Sequence, residues 1–99
     1  MKIKVHNLNS PRTGNPVANQ YEITTKGNYI FQSYNSIIAK INRTSGNIIL
    51  DDYYWDFSVT TLKYLKEFLY YTTHKRLSKN EIKKCIETGE IKTANLNSI

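Results

Sequence analysis

The chain has 99 residues, with 14 Lys and Arg against 8 Asp and Glu, and a formal net charge of +6 at pH 7. This length predicts one domain over residues 1–99, and the basic surplus excludes proteins that act by imitating the charge of DNA. No apolar run is long enough to span a membrane and no apolar signal region follows the basic start, so we expect a cytoplasmic protein without membrane contact. The single cysteine, Cys85, excludes an internal disulfide.

The start of the chain carries the pattern of one strand followed by a loop. Residues 2–8 alternate polar and apolar side chains, which predicts a half-buried strand with Ile3 and Val5 on its buried face. Two prolines, a glycine and several asparagines then fall within residues 9–18. This density of chain-breaking residues predicts a loop.

The next four segments predict two hairpins. Residues 20–25 and 29–34 are rich in β-branched and aromatic side chains and are separated by a Lys-Gly-Asn turn. Residues 36–42 and 47–51 are rich in isoleucine and are separated by a turn that contains Thr-Ser-Gly. A helix over residues 36–41 is the alternative that the pattern leaves open, although β-branched side chains lose rotamer freedom in a helix.

An amphipathic helix is predicted over residues 59–74, with either Asp56 or Ser58 as its N-terminal cap. Its predicted apolar face consists of Val59, Leu62, Leu65 and Leu69, with Tyr64, Phe68 and Tyr71 adjoining. Its predicted solvent face carries Lys63, Lys66 and Glu67. Apolar residues at this spacing indicate a helix that packs one side against a core.

A second helix is predicted over residues 79–88. Ser78 and Glu81 have the spacing of a capping box, and Gly89 stands where a helix C-terminus favours a left-handed residue. The apolar stripe of this helix consists of Ile82, Cys85 and Ile86. Residues 91–96 are a candidate edge strand.

These elements together predict an α+β fold. An antiparallel sheet of about four or five strands occupies residues 2–51, with the further edge strand after the second helix. The two C-terminal helices cover one face of this sheet. The first half of the chain thus supplies the sheet and the second half supplies its cover.

Three carboxylates, those of Asp51, Asp52 and Asp56, form the local acidic cluster of the sequence. Carboxylate oxygens hold Mg²⁺, so a minor nuclease is one hypothesis. The pattern favours turns and helix caps, which use Asp at the end of a strand and at the start of a helix. The chain shows no glycine-rich phosphate loop, no Ser/His/Asp set and no zinc signature, so we predict neither an enzyme nor a bound metal or cofactor.

The remaining titratable side chains are isolated in the sequence. His6 and His74 have no Cys, Asp or Glu at metal-ligand spacing, so we expect both of them at the surface or at a sheet edge. Cys85 falls on the apolar stripe of its helix, which favours an inert buried thiol over a nucleophile.

Four aromatic residues fall within five positions between the sheet and the first helix: Tyr53, Tyr54, Trp55 and Phe57. In a small domain such residues usually anchor the core. If some of them are exposed, they suit protein-binding hot spots or the stacking of unpaired bases. The sequence leaves both interpretations open, and we take Tyr53, Tyr54 and Trp55 as candidate contact residues.

Positive charge is concentrated where the two predicted helices join, at Lys75, Arg76, Lys79, Lys83 and Lys84. Clustered Lys and Arg neutralise phosphates and release their counterions, so this cluster is a candidate contact with a partner or a nucleic-acid backbone. An ordinary solvated helix face has the same composition. Lysine dominates here and lacks the bidentate fork of arginine, which argues against reading of a base sequence.

The sequence resembles a family of small phage-encoded proteins of undefined function. The resemblance is carried by residues 14–20 (GNPVANQ), 31–39 (FQSYNSIIA), 50–51 (LD), 54–58 (YWDFS) and 60–64 (TTLKY). These motifs lie within residues 14–66. The resemblance implies a phage accessory protein made inside a bacterial host cell, and it brings no catalytic residue and no cofactor.

The leading hypothesis from the sequence is a non-enzymatic inhibitor of a host defence or nucleic-acid-processing complex, of the anti-CRISPR kind. Its partner is then a host protein or ribonucleoprotein complex, gripped through RNA, DNA or an acidic protein surface. The alternative is a basic protein that binds nucleic acid directly in phage replication or transcription.

Overall fold

A computed structural model describes residues 3–97, and within this range the chain forms six strands and two helices. Lys2, the first residue of the predicted N-terminal strand, lies outside the described residues. The strands are β1 (Lys4–Asn9), β2 (Pro16–Thr24), β3 (Asn28–Ser33), β4 (Ser36–Asn42), β5 (Ile48–Asp51) and β6 (Ile91–Ala94). The helices are α1 (Val59–Thr73) and α2 (Lys79–Thr88). The predicted α+β fold is confirmed.

The six strands form one sheet in chain order, from β1 at one edge to β6 at the other. Each of the first five strands is antiparallel to the next, whereas β6 is parallel to β5. A parallel pair needs a long crossover between its strands, and here the crossover consists of α1 and α2. The predicted edge strand after the second helix is thus present.

Both helices begin with residues that the sequence predicts for this purpose, and α2 also ends with its predicted glycine. Ser58 caps α1, and its side chain accepts a hydrogen bond from the Thr61 N–H. Ser78 and Glu81 form a complete capping box at the start of α2. Gly89 ends α2 with φ of 86°, a left-handed conformation that glycine adopts without steric cost.

The core lies between the helices and one face of the sheet. Phe31 on β3 and Phe68 on α1 are both fully buried, with ring centroids 5.7 Å apart. Leu50 on β5 and Ile82 on α2 are also fully buried. Alternate residues of the strands face the helices, and the residues between them face away, since side chains alternate across a pleated sheet. No helix within residues 3–97 is both long and apolar enough to cross a membrane.

One prediction about the sheet is wrong, and one alternative that the sequence left open is excluded. The strand β2 begins at Pro16, inside the predicted loop, because Pro16 pairs with Asn9 of β1. The next strand, β3, pairs with β2 only from Gln20 onward. The first residues of β2 therefore have only β1 beside them, and an edge position tolerates a proline that lacks an N–H donor. The helical alternative for residues 36–41 is excluded, because this segment pairs along its length as β4.

Several side chains lie on the opposite side from the one predicted. Ile3 is 68% exposed, although the alternation at the start of the chain places it on a buried face. Val59 is 87% exposed, although the spacing places it on the apolar face of α1. Glu67 is buried on the predicted solvent face, because an arginine nine residues later pairs with its carboxylate. Val5 is 60% exposed on the face of the sheet that the helices leave uncovered, since β1 buries Leu8 instead.

Candidate functional site

The buried carboxylate of Asp51 joins three parts of the chain at one end of the sheet. Oδ2 accepts hydrogen bonds from the backbone N–H groups of Tyr53 (3.2 Å) and Tyr54 (2.8 Å). Oδ1 accepts hydrogen bonds from the Leu96 N–H (2.8 Å) and from the side-chain amide of Asn97 (2.9 Å). Burial raises the pKa of Asp51, but these hydrogen bonds outweigh burial and hold the pKa below its ordinary value.

The turn that follows Asp51 presents an aromatic cluster, which we define as Tyr53, Tyr54 and Phe57. The ring centroid of Tyr53 lies 4.8 Å from that of Tyr54 and 5.6 Å from that of Phe57, and the last two are 5.7 Å apart. Tyr53 and Phe57 are each 63% exposed, whereas Trp55 is buried in the core. The two interpretations of the aromatic segment therefore apply to different residues: Trp55 is a core anchor and its neighbours form a surface.

Hydrogen bonds at the start of α1 fix the other end of this turn. Ser58 Oγ accepts from the Thr61 N–H (3.0 Å) and donates to Thr61 Oγ1 (2.9 Å). Thr61 Oγ1 also lies 3.3 Å from the hydroxyl of Ser33 at the end of β3. Because the turn is held at both ends, the aromatic cluster loses little conformational freedom when a partner covers it.

A groove with a positively charged rim lies along α1, and of its lining residues only Arg76 was among the predicted contacts. Val59, two residues after Phe57, lines this groove together with Leu62 and Leu77. Lys63 and Lys66 stand on the same groove. Val59 is the first residue of α1 and is exposed, whereas the helical spacing in the sequence assigned it to the core.

Arg76 also lines this groove and is held in place by two contacts. Its guanidinium donates a hydrogen bond to the carboxylate of Glu67 (3.0 Å), and its Cζ atom lies 3.9 Å from the ring centroid of Tyr70. The side chain of Glu67 is only 7% exposed, so Arg76 supplies the partner that a buried charge requires. Arg76 therefore stabilises the segment between the two helices.

The other four basic residues of the predicted contact cluster lie on two separate surfaces. Lys75 lines a different cavity, which is also lined by the end of α1, by Cys85 of α2 and by Ile91 of β6. Lys79 and Lys83 stand one turn apart on α2, with Lys84 adjacent. Within residues 3–97, these three α2 lysines have no ion-pair partner within 4.0 Å. The structure thus divides the predicted basic cluster rather than gathering it.

Two further titratable groups have structural explanations. Burial raises the pKa of the Cys85 thiol, and the carboxylate of Glu90, 3.9 Å from the sulfur, raises it further. A raised pKa keeps the thiol protonated at neutral pH, and a protonated thiol is a poor nucleophile. His6 lies on the edge strand β1, where its Nε2 atom is 3.4 Å from the carboxylate of Glu22. Burial raises the pKa of Glu22, and the charge of His6 partly offsets this effect.

The three aspartates of the nuclease hypothesis do not form a metal site in the described part of the chain. Within residues 3–97, no group of three or more His, Cys, Asp or Glu side chains is arranged to hold a metal ion. The carboxylate of Asp51 already accepts its four hydrogen bonds, and the side chain of Asp52 is exposed.

Segments that are distant in sequence meet at the end of the sheet that carries the aromatic cluster. The Tyr34 N–H donates to the Asn19 carbonyl (2.7 Å), and both residues have left-handed backbones, with φ of 54° and 66°. The side chain of Asn97 bridges Asp51 to the backbone N–H and carbonyl of Ile37. All of these residues except Asn97 belong to the motifs that carry the resemblance.

Residues 3–84 match a family described as "Family of unknown function (DUF8033)". The chain belongs to this family. The match covers the first five strands, α1 and the first half of α2 of this DUF8033 protein, and it therefore includes the aromatic cluster and the groove. Among curated proteins and among solved structures, none matches the chain.

Proposed function

We propose that this DUF8033 protein is a non-enzymatic phage accessory protein that binds and inhibits a host defence or nucleic-acid-processing complex in the bacterial cytoplasm, as anti-CRISPR proteins do. The observation that carries the proposal is the aromatic cluster on its fixed turn. Exposed tyrosine and other aromatic side chains dominate the energy of protein–protein binding when they enter a pocket of the partner. Rigid presentation lowers the entropic cost of that step.

The charge of the groove along α1, rather than that of the turn itself, which carries Asp52 and Asp56, favours an acidic protein surface as the partner. Lys63 and Lys66 stand on the groove that starts at Val59, and the carboxylate of Glu67 in the same groove is neutralised by Arg76. A partner with an apolar pocket surrounded by Asp and Glu is complementary to this arrangement. The net charge of +6 argues against inhibition by mimicry of DNA.

A capture experiment identifies the partner. The tagged protein is purified from the infected host with and without nuclease treatment, and the retained proteins are identified by mass spectrometry. We expect a host protein or ribonucleoprotein that stays bound after nuclease treatment and whose activity the purified DUF8033 protein inhibits. If nuclease treatment removes all of the bound host proteins, the proposal is contradicted.

Variants of the aromatic cluster then test the contact surface on the isolated partner. The double variant Tyr53→Ala/Phe57→Ala should weaken binding by about thirtyfold or more, because the loss of even one aromatic hot spot of about 2 kcal/mol lowers affinity by that factor. Tyr71→Ala is the matched control, since Tyr71 is 52% exposed on another surface of α1. Equal affinities of the two variants contradict the assignment of the contact surface.

A second candidate function is direct binding of a nucleic-acid backbone in phage replication or transcription. The observation that favours it is the set of α2 lysines, the half-buried Lys79 and the exposed Lys83 and Lys84, which lack ion pairs within residues 3–97. Such binding should weaken steeply with added salt, because each neutralised phosphate releases counterions. If the protein does not bind plain DNA or RNA even at low salt, this candidate is contradicted.

A further inference from the structure

The face of the sheet opposite the helices carries an unbroken row of side chains across all six strands. In strand order, the paired residues of this row are Val5, Ile23, Ile30, Lys40, Ile49 and Lys92. Their sequence neighbours Phe31, Ala39 and Leu50 are fully buried under the helices. The row therefore points to the uncovered side, because successive side chains of a strand alternate between faces.

A second row on the same face is polar and aromatic. Tyr21 of β2 pairs with Gln32 of β3, which in turn pairs with Ile37 of β4. Tyr21 and Gln32 line a shallow groove that also includes Asn19 and the exposed Tyr34. This groove combines two phenol rings with amide groups that both donate and accept hydrogen bonds.

The uncovered face is positively charged and lacks an available carboxylate among the described strands. Within residues 3–97, the acidic residues of the strands are Glu22 and Asp51. Glu22 pairs with the buried Phe31 and so lies on the helix side, and the Asp51 carboxylate is enclosed by its four hydrogen bonds. Lys40 and Lys92 lie on either side of Ile49, which leaves the charge of this face positive.

We propose that this uncovered face binds single-stranded nucleic acid. Unpaired bases stack on aromatic rings of a sheet, and here the half-buried Tyr21 of β2 and the exposed Tyr34 of the turn after β3 supply those rings. Lys40 on β4 and Lys92 on β6 supply the charge that phosphates require, in the half of the sheet away from Tyr21. The amide nitrogen of Gln32 already donates to the Tyr34 carbonyl (2.7 Å), so the side-chain oxygen of Gln32 and the amide of Asn19 are the groups that hydrogen-bond the edges of the stacked bases. This inference is independent of the aromatic cluster and goes beyond the proposed function.

Charge argues against a second copy of the chain as the occupant of this face. Two chains of formal charge +6 repel each other, and a face-to-face pair adds the lysines of both copies to an interface without available acids. Phosphates of a nucleic acid remove this repulsion. A double helix hides the faces of its bases inside the stack, so stacking on Tyr21 and Tyr34 selects unpaired strands.

Fluorescence anisotropy with labelled oligomers of about 12 nucleotides tests the proposal, since this length is within the range that one sheet platform covers. The probes are oligouridine, oligothymidine and a duplex of the same length, at salt concentrations from about 50 to about 200 mM. We expect both single strands to bind more tightly than the duplex. The uridine and thymidine probes distinguish RNA from DNA as the preferred strand. Absence of binding to either single strand at the lowest salt overturns the proposal.

Charge-matched variants locate the contact. Lys40→Gln/Lys92→Gln removes two positive charges from the uncovered face, and Lys83→Gln/Lys84→Gln removes two from α2. The first should reduce the slope of log affinity against log salt by about 1.4, the value for two phosphate contacts on a single strand, whereas the second tests the α2 surface of the second candidate function and should reduce it less. A loss confined to the α2 variant places binding on the helix and overturns the proposal.

Two tyrosine variants provide a second readout that does not depend on charge. Tyr21→Leu keeps an apolar side chain on the sheet but removes the ring, and it should weaken binding of single strands about tenfold. Tyr71→Leu on α1 should not change it. The variant Tyr53→Ala/Phe57→Ala should also retain oligomer binding, which separates this inference from the proposed function. If light scattering shows a dimer that the variant Tyr21→Leu dissociates, the uncovered face binds a second copy of the chain and the proposal is overturned.

Discussion

At the scale of single residues, the Asp51 carboxylate shows how one buried side chain can organise an exposed aromatic surface. It is 1% exposed, and both of its oxygens are fully used by backbone and amide donors. Hydrogen bonds to a charged group are stronger than those between neutral groups. The geometry of the aromatic cluster therefore depends on a residue that is itself buried.

The variant Asp51→Asn should destabilise the fold, because its amide nitrogen would face donors rather than accept from them. We expect the free energy of unfolding at pH 7 to fall by about 2 to 3 kcal/mol. Asp52→Asn is the matched control, because it removes the same charge at the adjacent exposed position. Urea denaturation of both variants gives the comparison, and equal losses would contradict the structural role of Asp51.

The same carboxylate predicts the direction of a pH effect. The pKa of Asp51 in the folded chain lies below its ordinary value of 3.8, so the folded state favours the ionised form. Its contribution to stability is present above the unfolded pKa and is lost as pH falls through the folded pKa. The difference in unfolding free energy between the wild type and Asp51→Asn should therefore shrink below about pH 4. A difference that stays constant down to pH values near 2 would contradict this account.

At the scale of secondary-structure elements, the ends of α2 are fixed by local sequence. Ser78 and Glu81 exchange side-chain and backbone hydrogen bonds at its start, and Gly89 takes a left-handed backbone at its end. Helices of about ten residues are marginal in isolation, so such caps and the packing of Ile82 both contribute to its stability.

Gly89→Ala should lower the free energy of unfolding by about 1 kcal/mol, since a Cβ atom makes the left-handed conformation unfavourable. Gly27→Ala is the control. No atom lies within 4 Å of a Cβ built at either glycine, but only Gly89 has a positive φ. Thermal unfolding should show a lower midpoint for Gly89→Ala alone. A similar shift for both variants would indicate that something other than backbone conformation is responsible.

Elements whose signals are local were predictable from the sequence. The capping box of α2, the hairpin turn at Gly27 and the Ser58 cap each depend on residues within a few positions of one another. Spacing alone did not predict the buried Glu67, because its partner Arg76 reaches it through the folded segment before α2. The early start of β2 at Pro16 likewise depends on which neighbouring strand is present.

The candidate surfaces were less predictable than the elements, for the same physical reason. The aromatic segment was recognised, but exposure of Tyr53 and Phe57 beside a buried Trp55 follows from the hydrogen bonds of Asp51 to distant residues. The sequence did not indicate the uncovered face of the sheet as a candidate surface. Its residues come from six strands, and only the register of those strands brings them into rows.

At the scale of the whole molecule, the C-terminal strand completes both the sheet and the frame of the aromatic cluster. Ile91 of β6 is 2% exposed, and the residues that follow β6 donate two of the four hydrogen bonds to Asp51. The strand also covers the edge of β5. A short segment near the end of the chain thus supports features that lie far from it in sequence.

Removal of residues 90–99 should abolish cooperative unfolding. The truncated chain loses the burial of Ile91, which contributes about 1.5 to 3 kcal/mol, together with the β5–β6 pairing and the two donors to Asp51. Circular dichroism during heating should show a broad change without a sharp transition. The full-length variant Ile91→Val should keep a sharp transition. A sharp transition in the truncated chain would show that β6 is dispensable.

The parallel pairing of β5 with β6 also determines the order of events while the protein is being made. About 40 residues separate the end of β5 from the start of β6, and synthesis at about 5 to 20 residues per second takes about 2 to 8 s to cover that distance. During this interval the edge of β5 has no partner, and an unpaired edge is a template for other strands. The helices are made within the same interval but pack on a face of the sheet, so the edge of β5 stays open to other strands until β6 pairs with it.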